Sequence, residues 1–134
     1  MKKFIFTALT TFMLTNMANA QKIIAHRGYW DTENNAKNSI KSLKSAQEIG
    51  AYGSEFDVLI SADDVLMVNH DDNFQGHAIE MTNSSILKTL KLANNENMPT
   101  LEEYFEQGKK NKKVKLIFEL KPHSSKENEN RAVK

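Results

Sequence analysis

Three carboxylates occupy positions in predicted apolar strands, where an acidic side chain is unusual and requires an explanation. Glu55 and Asp57 lie two residues apart in the apolar, β-branched stretch SEFDVLI, and Glu119 lies in a similar stretch, VKLIFELK. Side chains two apart on a strand share one face of the sheet, and unpaired carboxylates on a buried face are costly. Three oxygen donors suit a hard divalent ion, Mg²⁺ or Ca²⁺. The alternative is a solvated strand face, with Glu119 paired to a lysine.

Two histidines and two cationic side chains accompany these carboxylates. His26 and His70 each stand where a predicted strand ends, so both can lie at the same rim of the sheet. Histidines titrate near neutrality and can transfer protons on both sides of a reacting group, although either one alone is also explained as a satisfied or surface side chain. Arg27 can bind an anion through two parallel hydrogen bonds, and Lys121 can bind one as a point charge. Together, the carboxylates, histidines and cationic side chains indicate metal-assisted cleavage of a phosphate ester.

Short strands alternating with helices are predicted to position these groups. The predicted strands cover residues 22–26, 55–60, 65–69 and 114–121, and the predicted helices lie between Asn38 or Ser39 and Gly50 and between Thr100 and Gly108. The middle two strands lie at hairpin distance. The other connections imply parallel neighbours joined by right-handed crossovers, with helices packed outside the sheet. The fold class is therefore α/β.

The remaining segments carry weaker signals. Thr100 and Glu103 have the spacing of a capping box, and a serine at 124 or 125 can begin a further helix. Residues 73–99 are polar and predicted to be loop-like, with one or two helical turns around residues 84–92. His77 and His123 lie outside the strand ends and are assigned to loops.

The first twenty residues have the pattern of a secretory signal peptide. Lys2 and Lys3 precede a mostly apolar run that ends in Ala18-Asn19-Ala20, which predicts cleavage after Ala20 and a domain over residues 21–134. Removing this segment takes two of the 18 Lys and Arg and none of the 17 Asp and Glu, so the net charge falls from +1 to −1. That charge does not favour nucleic acid as a partner. There is no cysteine, so an exported domain must fold without disulfides.

Five short motifs follow one another along the chain: HRG at 26–28, EFD at 55–57, NHD at 69–71, PTLEEYF at 99–105 and FELK at 118–121. Together and in this order they resemble the motifs of glycerophosphodiester phosphodiesterases. The family belongs to the phosphatidylinositol-phospholipase-C-like barrels. The resemblance implies a TIM-type (β/α)8 barrel, of which this chain supplies roughly the first three strand–helix units.

The resemblance also implies roles for the residues singled out above. It implies a divalent metal ion, Mg²⁺ or Ca²⁺, held by Glu55, Asp57 and Glu119, and phosphate contacts from Arg27 and Lys121. It implies acid–base roles for His26 and His70, with the order of the two open, and Asp71 is expected to orient His70. The reaction would be hydrolysis of a small glycerophosphodiester to glycerol 3-phosphate and an alcohol.

Three departures from the family pattern are visible. Ala36-Lys37-Asn38-Ser39 stands where the family usually has Pro-Glu-Asn-Thr, so Lys37 reverses the charge of the usual glutamate. Asp64 stands in the hairpin turn where the family often has glycine, and we expect local strain there. A complete barrel needs about 250 residues, so we expect this sequence to be an N-terminal portion of a longer domain.

Two other functions fit the same sequence. The chain could be a non-catalytic truncated remnant that binds a divalent ion or a partner, with its open barrel edge self-associating. It could also be a related phospholipase that acts on intact lipid. We expect an exported protein of a bacterial periplasm or a secreted one, because the first twenty residues resemble a bacterial signal peptide and no later apolar segment is long enough to cross a membrane.

Overall fold

A computed structural model describes residues 21–134. The predicted signal peptide, residues 1–20, lies outside this described part. Within residues 21–134, no helix has both the length and the apolar character needed to span a bilayer. The strands are β1 (Ile24–Ala25), β2 (Gly53–Ile60), β3 (Leu66–Val68), β4 (Asn73–Phe74), β5 (His77–Ala78) and β6 (Lys115–Leu120). The α-helices are α1 (Ile40–Glu48), α2 (Ser84–Leu87), α3 (Leu101–Gly108) and α4 (Lys126–Ala132), and a 3₁₀ helix covers Ile79–Met81.

Strand β2 is the centre of the main sheet. Strand β6 pairs with it in parallel over six residues, so that Asp57 lies opposite Glu119. On its other edge β2 pairs in parallel with β1 at Gly53 and Ser54, and antiparallel with β3 at Val58 to Ile60. The predicted hairpin and the predicted parallel crossovers are therefore both present.

Local side-chain signals fix where the helices begin. The Ser39 side chain accepts a hydrogen bond from the backbone of Ser42 and caps α1. Thr100 and Glu103 form the predicted capping box, in which each side chain bonds to the other's backbone N–H. Ser125 caps α4 in the same way, through the backbone N–H of Asn128.

The alternating side chains of β2 pack into two separate apolar clusters. Phe56 and Val58 point towards the helices, where they pack with Leu43 of α1 and Tyr104 of α3. Leu59 points the other way and belongs to a cluster that includes Met67, Ile79, Leu87 and Met98. Because residues two apart share a face, Glu55 and Asp57 lie on the Leu59 side of β2, away from the helix layer.

Several predicted boundaries need correction. Strand β1 has two residues instead of five. Residues 73–99 contain a small antiparallel pair, β4 and β5, and a 3₁₀ helix, none of which the sequence predicts, whereas α2 lies within the helical turns predicted around residues 84–92. His77 therefore belongs to a strand, and its assignment to a loop is wrong. These strands of two residues carry too few side chains to show a period of two.

Candidate active site

The three predicted carboxylates meet at one point of the sheet. Glu55, Asp57 and Glu119 each offer an oxygen, and these three atoms lie within 4.8 Å of one another. The parallel register explains the meeting, since Glu119 sits directly beside Asp57 and Glu55 is two residues earlier on the same face. The site runs from buried to open: Asp57 is 1% exposed, whereas Glu119 is on the surface.

Asp57 is the most heavily contacted of the three. The side-chain amide of Asn38 donates to its Oδ2 across 2.9 Å, and Arg27 Nε lies 3.3 Å from the same oxygen. Lys121 Nζ lies 3.6 Å from Oδ1. A buried carboxylate between a guanidinium and an ammonium is electrostatically compensated. The two cations predicted to bind phosphate therefore face the predicted metal ligand in this structure.

Glu55 is held by the backbone of the loop after β1. The Arg27 N–H donates to Glu55 Oε2 across 2.9 Å, and His26 Nε2 lies 3.9 Å from that oxygen. Partial burial raises the pKa of Glu55, while the hydrogen bond from Arg27 opposes the rise. A bound cation would compensate that burial.

Glu119 and Lys121 form a pair at the outer end of β6. Lys121 Nζ lies 2.9 Å from Glu119 Oε1. This hydrogen bond lowers the pKa of Glu119 and raises the pKa of Lys121. Lys121 is therefore the lysine partner that the solvated-face interpretation predicts for Glu119. Glu119 also lies in the carboxylate cluster, as the metal-site interpretation predicts.

The two histidines differ in exposure and in partners. The His26 side chain is 68% exposed and lies beside Glu55, whereas that of His70 is 35% exposed. His70 Nδ1 lies 2.6 Å from Asp71 Oδ1. This contact fixes the ring and leaves Nε2 as the atom that can exchange a proton with a ligand.

His123 lies in a loop, as predicted, but it has a defined contact. The backbone N–H of Ile60, the last residue of β2, donates to His123 Nε2 across 3.1 Å. The side chain therefore satisfies a strand end and is not among the residues that gather around the carboxylates.

A cleft of about 340 Å³ is lined by His70 and by Arg27 and Asn38, the two residues that contact Asp57 Oδ2, while none of the three carboxylates is in its lining. Arg27, Asn38 and Asp71 contribute polar groups to its wall, and Trp30 and Phe74 contribute apolar surface. Lys37 also lines the cleft, with its Nζ 4.4 Å from the centre of the Trp30 ring. A second hollow, of about 470 Å³, lies against α3 between Leu66 and Phe105 and contains none of the predicted site residues.

Asn38 is a site residue that the sequence indicates only as a candidate helix cap. Its backbone φ is +57°, a left-handed conformation that asparagine tolerates better than most residues. That conformation turns its side chain towards Asp57, while the next residue, Ser39, caps α1. The sequence does contain a signal for this role, because Asn38 and Ser39 can both cap α1 and only one of them is needed. The other side chain is then available for a different contact.

The donor set fits a divalent cation. Glu55 Oε1 and Asp57 Oδ1 are buried and accept no hydrogen bond from the described residues, and buried oxygens of this kind need a partner. Carboxylate oxygens are the donors that Mg²⁺ and Ca²⁺ prefer. The residues present therefore suit such an ion.

Parallel strands with helices outside them, and polar groups gathered on one face of β2 and β6, match the plan of α/β barrel enzymes. The chain belongs to the glycerophosphoryl diester phosphodiesterase family, whose model matches residues 26–134. It is 38% identical over 96 residues to a glycerophosphodiester phosphodiesterase of Caldanaerobacter subterraneus subsp. tengcongensis, an alignment that covers 63% of this chain and 39% of the relative.

Solved structures share the fold. A glycerophosphodiester phosphodiesterase from Parabacteroides distasonis is 55% identical, with a TM-score of 0.80, over 83% of this chain and 47% of that one. An Oleispira antarctica phosphodiesterase, solved in complex with the product sn-glycerol-3-phosphate, is 29% identical with a TM-score of 0.68, over 77% of this chain and 45% of that one. The expectation of a partial TIM-type barrel is confirmed. The chain thus spans about half the length of these solved relatives.

Proposed function

We propose that this chain carries the acidic centre and the acid–base residues of a metal-dependent hydrolase that converts a glycerophosphodiester into glycerol 3-phosphate and an alcohol. The observation that carries this proposal is the meeting of Glu55, Asp57 and Glu119 within 4.8 Å. Family membership over residues 26–134 supports the reaction class. The product bound to the Oleispira antarctica relative supports the substrate class.

Glu55, Asp57 and Glu119 would hold the divalent ion. When bound, the ion would neutralise charge on the phosphodiester and polarise a phosphoryl oxygen. Arg27 and Lys121, which contact Asp57, would turn part of their charge towards the phosphate oxygens. Arginine suits this task because its planar guanidinium can bond two phosphate oxygens at once.

His26 and His70 would move the protons. His26 Nε2 would take the proton of the attacking hydroxyl, from water or from the substrate's own glycerol, as the new P–O bond forms. His70 Nε2 would give a proton to the departing alcohol as the old P–O bond breaks, since Asp71 engages its other ring nitrogen. Attack by water completes the hydrolysis in one step, after which proton exchange with solvent restores both histidines. Attack by the glycerol hydroxyl forms a cyclic phosphate, and one water then opens it as His70 takes the proton of that water and His26 returns a proton to the glycerol oxygen.

Export remains part of this proposal. The Lys2-Lys3 start, the apolar run and Ala18-Asn19-Ala20 favour removal of residues 1–20 and a periplasmic or secreted domain over residues 21–134. Mass spectrometry of the protein recovered from its host would find Gln21 at the N-terminus. An intact Met1 would contradict the proposal.

Self-association is a second part of the proposal. Strand β6 pairs with β2 on one edge, and Ile24 and Phe118 are exposed by 48% and 45% on the two outer strands. Unpaired strand edges with exposed apolar side chains favour pairing with another copy. Light scattering after size-exclusion chromatography would show a dimer or larger species of residues 21–134. A monomer at every concentration would contradict this part.

Release of glycerol 3-phosphate from glycerophosphocholine tests the main proposal. Residues 21–134 would be assayed with Mg²⁺, with Ca²⁺ and with a chelator, beside His26→Ala and Glu55→Gln. Glu102→Gln is the matched control, because Glu102 is an exposed carboxylate on α3. We expect metal-dependent release that both site variants abolish and the control retains. No release from a folded, metal-loaded sample would contradict activity of this chain alone and favour the non-catalytic alternative.

A further inference from the structure

Lys37 and Trp30 form a pair at the wall of the cleft that contains His70. The Lys37 ammonium lies 4.4 Å from the centre of the Trp30 ring. Lys37 is exposed, Trp30 is half-buried, and both line the cleft together with Arg27 and His70. The proposed reaction assigns no task to this pair.

The ion pairs of residues 21–134 leave Lys37 without an acidic partner. Among the residues that line the cleft, Asp71 alone carries a carboxylate, and that carboxylate is engaged by His70. The positive charge of Lys37 is therefore held in place by the negative face of the Trp30 ring. No carboxylate of residues 21–134 lies within ion-pair distance of Lys37, whereas Arg27 in the same wall is paired with Asp57.

Such a wall discriminates between head groups by charge. A quaternary ammonium binds best over an aromatic face, but Lys37 already occupies the face of Trp30, and the two cations repel each other. A hydroxyl-rich alcohol can instead accept hydrogen bonds from the ammonium, which has three donors and no acceptor. An anionic group gains further from the attraction of opposite charges.

We propose that Lys37 and Trp30 form a leaving-group subsite that selects hydroxyl-rich or anionic alcohols and disfavours quaternary ammonium head groups. The inference rests on the proposed function, in which His70 protonates the departing alcohol and so places that alcohol in this cleft. Phosphodiesters of inositol or glycerol would be preferred to those of choline.

Trp30 is the only tryptophan in the sequence, so its fluorescence reports directly on this subsite. Glycerophosphoinositol and glycerophosphocholine would be titrated by rapid mixing in Mg²⁺, with the initial change in Trp30 emission as the readout. The unmodified chain would be compared with Lys37→Met and Lys37→Glu. Lys44→Met is the matched control, because it removes the same charge from an exposed position on α1.

The unmodified chain should respond to glycerophosphoinositol at a concentration about 2- to 5-fold lower than to glycerophosphocholine, the range that an exposed cation–π contact supports. Lys37→Met should remove this preference, Lys37→Glu should reverse it, and Lys44→Met should keep it. An unmodified chain that prefers the choline ester or neither ester would overturn the inference. The same holds if Lys37→Met keeps the original ratio, or if no diester changes the emission.

The emission readout separates this inference from the proposed function. Glycerol 3-phosphate release tests turnover, whereas Trp30 emission tests which head group the cleft accepts. Selective binding without turnover would leave the subsite standing and contradict the proposed function. Turnover without any effect of Lys37→Met on the binding ratio would support the proposed function and contradict the subsite.

Discussion

Asn38 Nδ2 donates a hydrogen bond to Asp57 Oδ2 across 2.9 Å, and the backbone N–H of Asp57 lies 3.4 Å from Asn38 Oδ1. The side-chain amide of Asn38 thus contacts the Asp57 carboxylate through its nitrogen and the Asp57 backbone through its oxygen. Both are buried, with 4% and 1% exposure. This contact attaches the loop before α1 to the central carboxylate of the site, and it orients the Asp57 oxygens.

Substitution of Asn38 should separate the stability that comes from its hydrogen bonding to Asp57 from the cost of its left-handed backbone conformation. Asn38→Gly removes the hydrogen bond to Asp57 and should lower the free energy of unfolding by about 2 kcal/mol, a usual value for a hydrogen bond to a charged group. Asn38→Ala makes the same deletion but keeps a β-carbon at φ +57°, a conformation that alanine tolerates less well than glycine, so it should be about 1 kcal/mol less stable than Asn38→Gly. Urea denaturation measures both. Equal stability of the two variants would show that the backbone at residue 38 relaxes out of the left-handed region.

Substitution of Gly28 should be much more damaging than substitution of another left-handed glycine. A β-carbon at Gly28, where φ is +78°, would lie 2.2 Å from Ser42 Oγ and 2.7 Å from the Ser42 backbone carbon. Gly76 has φ +84° but no atom within 4 Å of such a β-carbon. We expect Gly76→Ala to cost about 1 kcal/mol from backbone strain and Gly28→Ala at least about 3 kcal/mol, because overpacking is added. Thermal unfolding of both variants compares them, and similar melting temperatures would contradict the clash.

The carboxylate cluster was predictable from sequence because it depends on strand periodicity. Glu55 and Asp57 share a face through their spacing alone, and the parallel register then brings Glu119 beside them. The hairpin, α3 with its capping box, and β6 were predictable for a similar reason, since each has a signal within its own few residues.

The missed features depend on contacts between distant parts of the chain. No local pattern shows that Asn38 turns towards Asp57, 19 residues away. The pairing of Arg27 and Lys121 with Asp57 depends likewise on the assembled sheet. The expected strain at Asp64 is a local effect, and it is found as a φ of +63° in the hairpin turn.

Asp63 should make stability depend on pH in the acid range. Its carboxylate accepts hydrogen bonds from the backbone N–H of Ser84 at 2.7 Å and from the side chains of Ser61 and Ser84, and these lower the pKa of Asp63 to about 2 from 3.8. A lowered pKa means that its contribution is fully present above about pH 4 and is lost as the pH falls through about 2. Asp63→Asn should therefore be less stable than the unmodified protein at pH 6, and the difference should become small near pH 2. Urea denaturation at both values tests this, and a constant difference would contradict the linkage.

A divalent ion should stabilise the protein through the three carboxylates. Anything that binds only the folded state raises its stability, by about 2.7 kcal/mol at 100 times the dissociation constant. We expect Mg²⁺ or Ca²⁺ to raise the melting temperature, and Glu55→Gln or Asp57→Asn to abolish that rise. Glu102→Gln, an exposed carboxylate on α3, should keep it. An equal rise in all four proteins would indicate a general salt effect in place of binding at this site.

Asp71 should act on the reaction through His70 and not through binding. Its Oδ1 lies 2.6 Å from His70 Nδ1, and its side chain is 74% exposed, so removing its charge should disturb the ring more than the fold. For a protein that turns over glycerophosphodiesters, we expect Asp71→Asn to lower kcat by about tenfold, within the range that positioning a general acid supplies. KM and the melting temperature should change little. Asp72→Asn, the next acidic residue along the chain, is the control for charge. A fall in kcat that is equal in both variants, or an effect confined to KM, would show that Asp71 does not orient His70 for proton transfer.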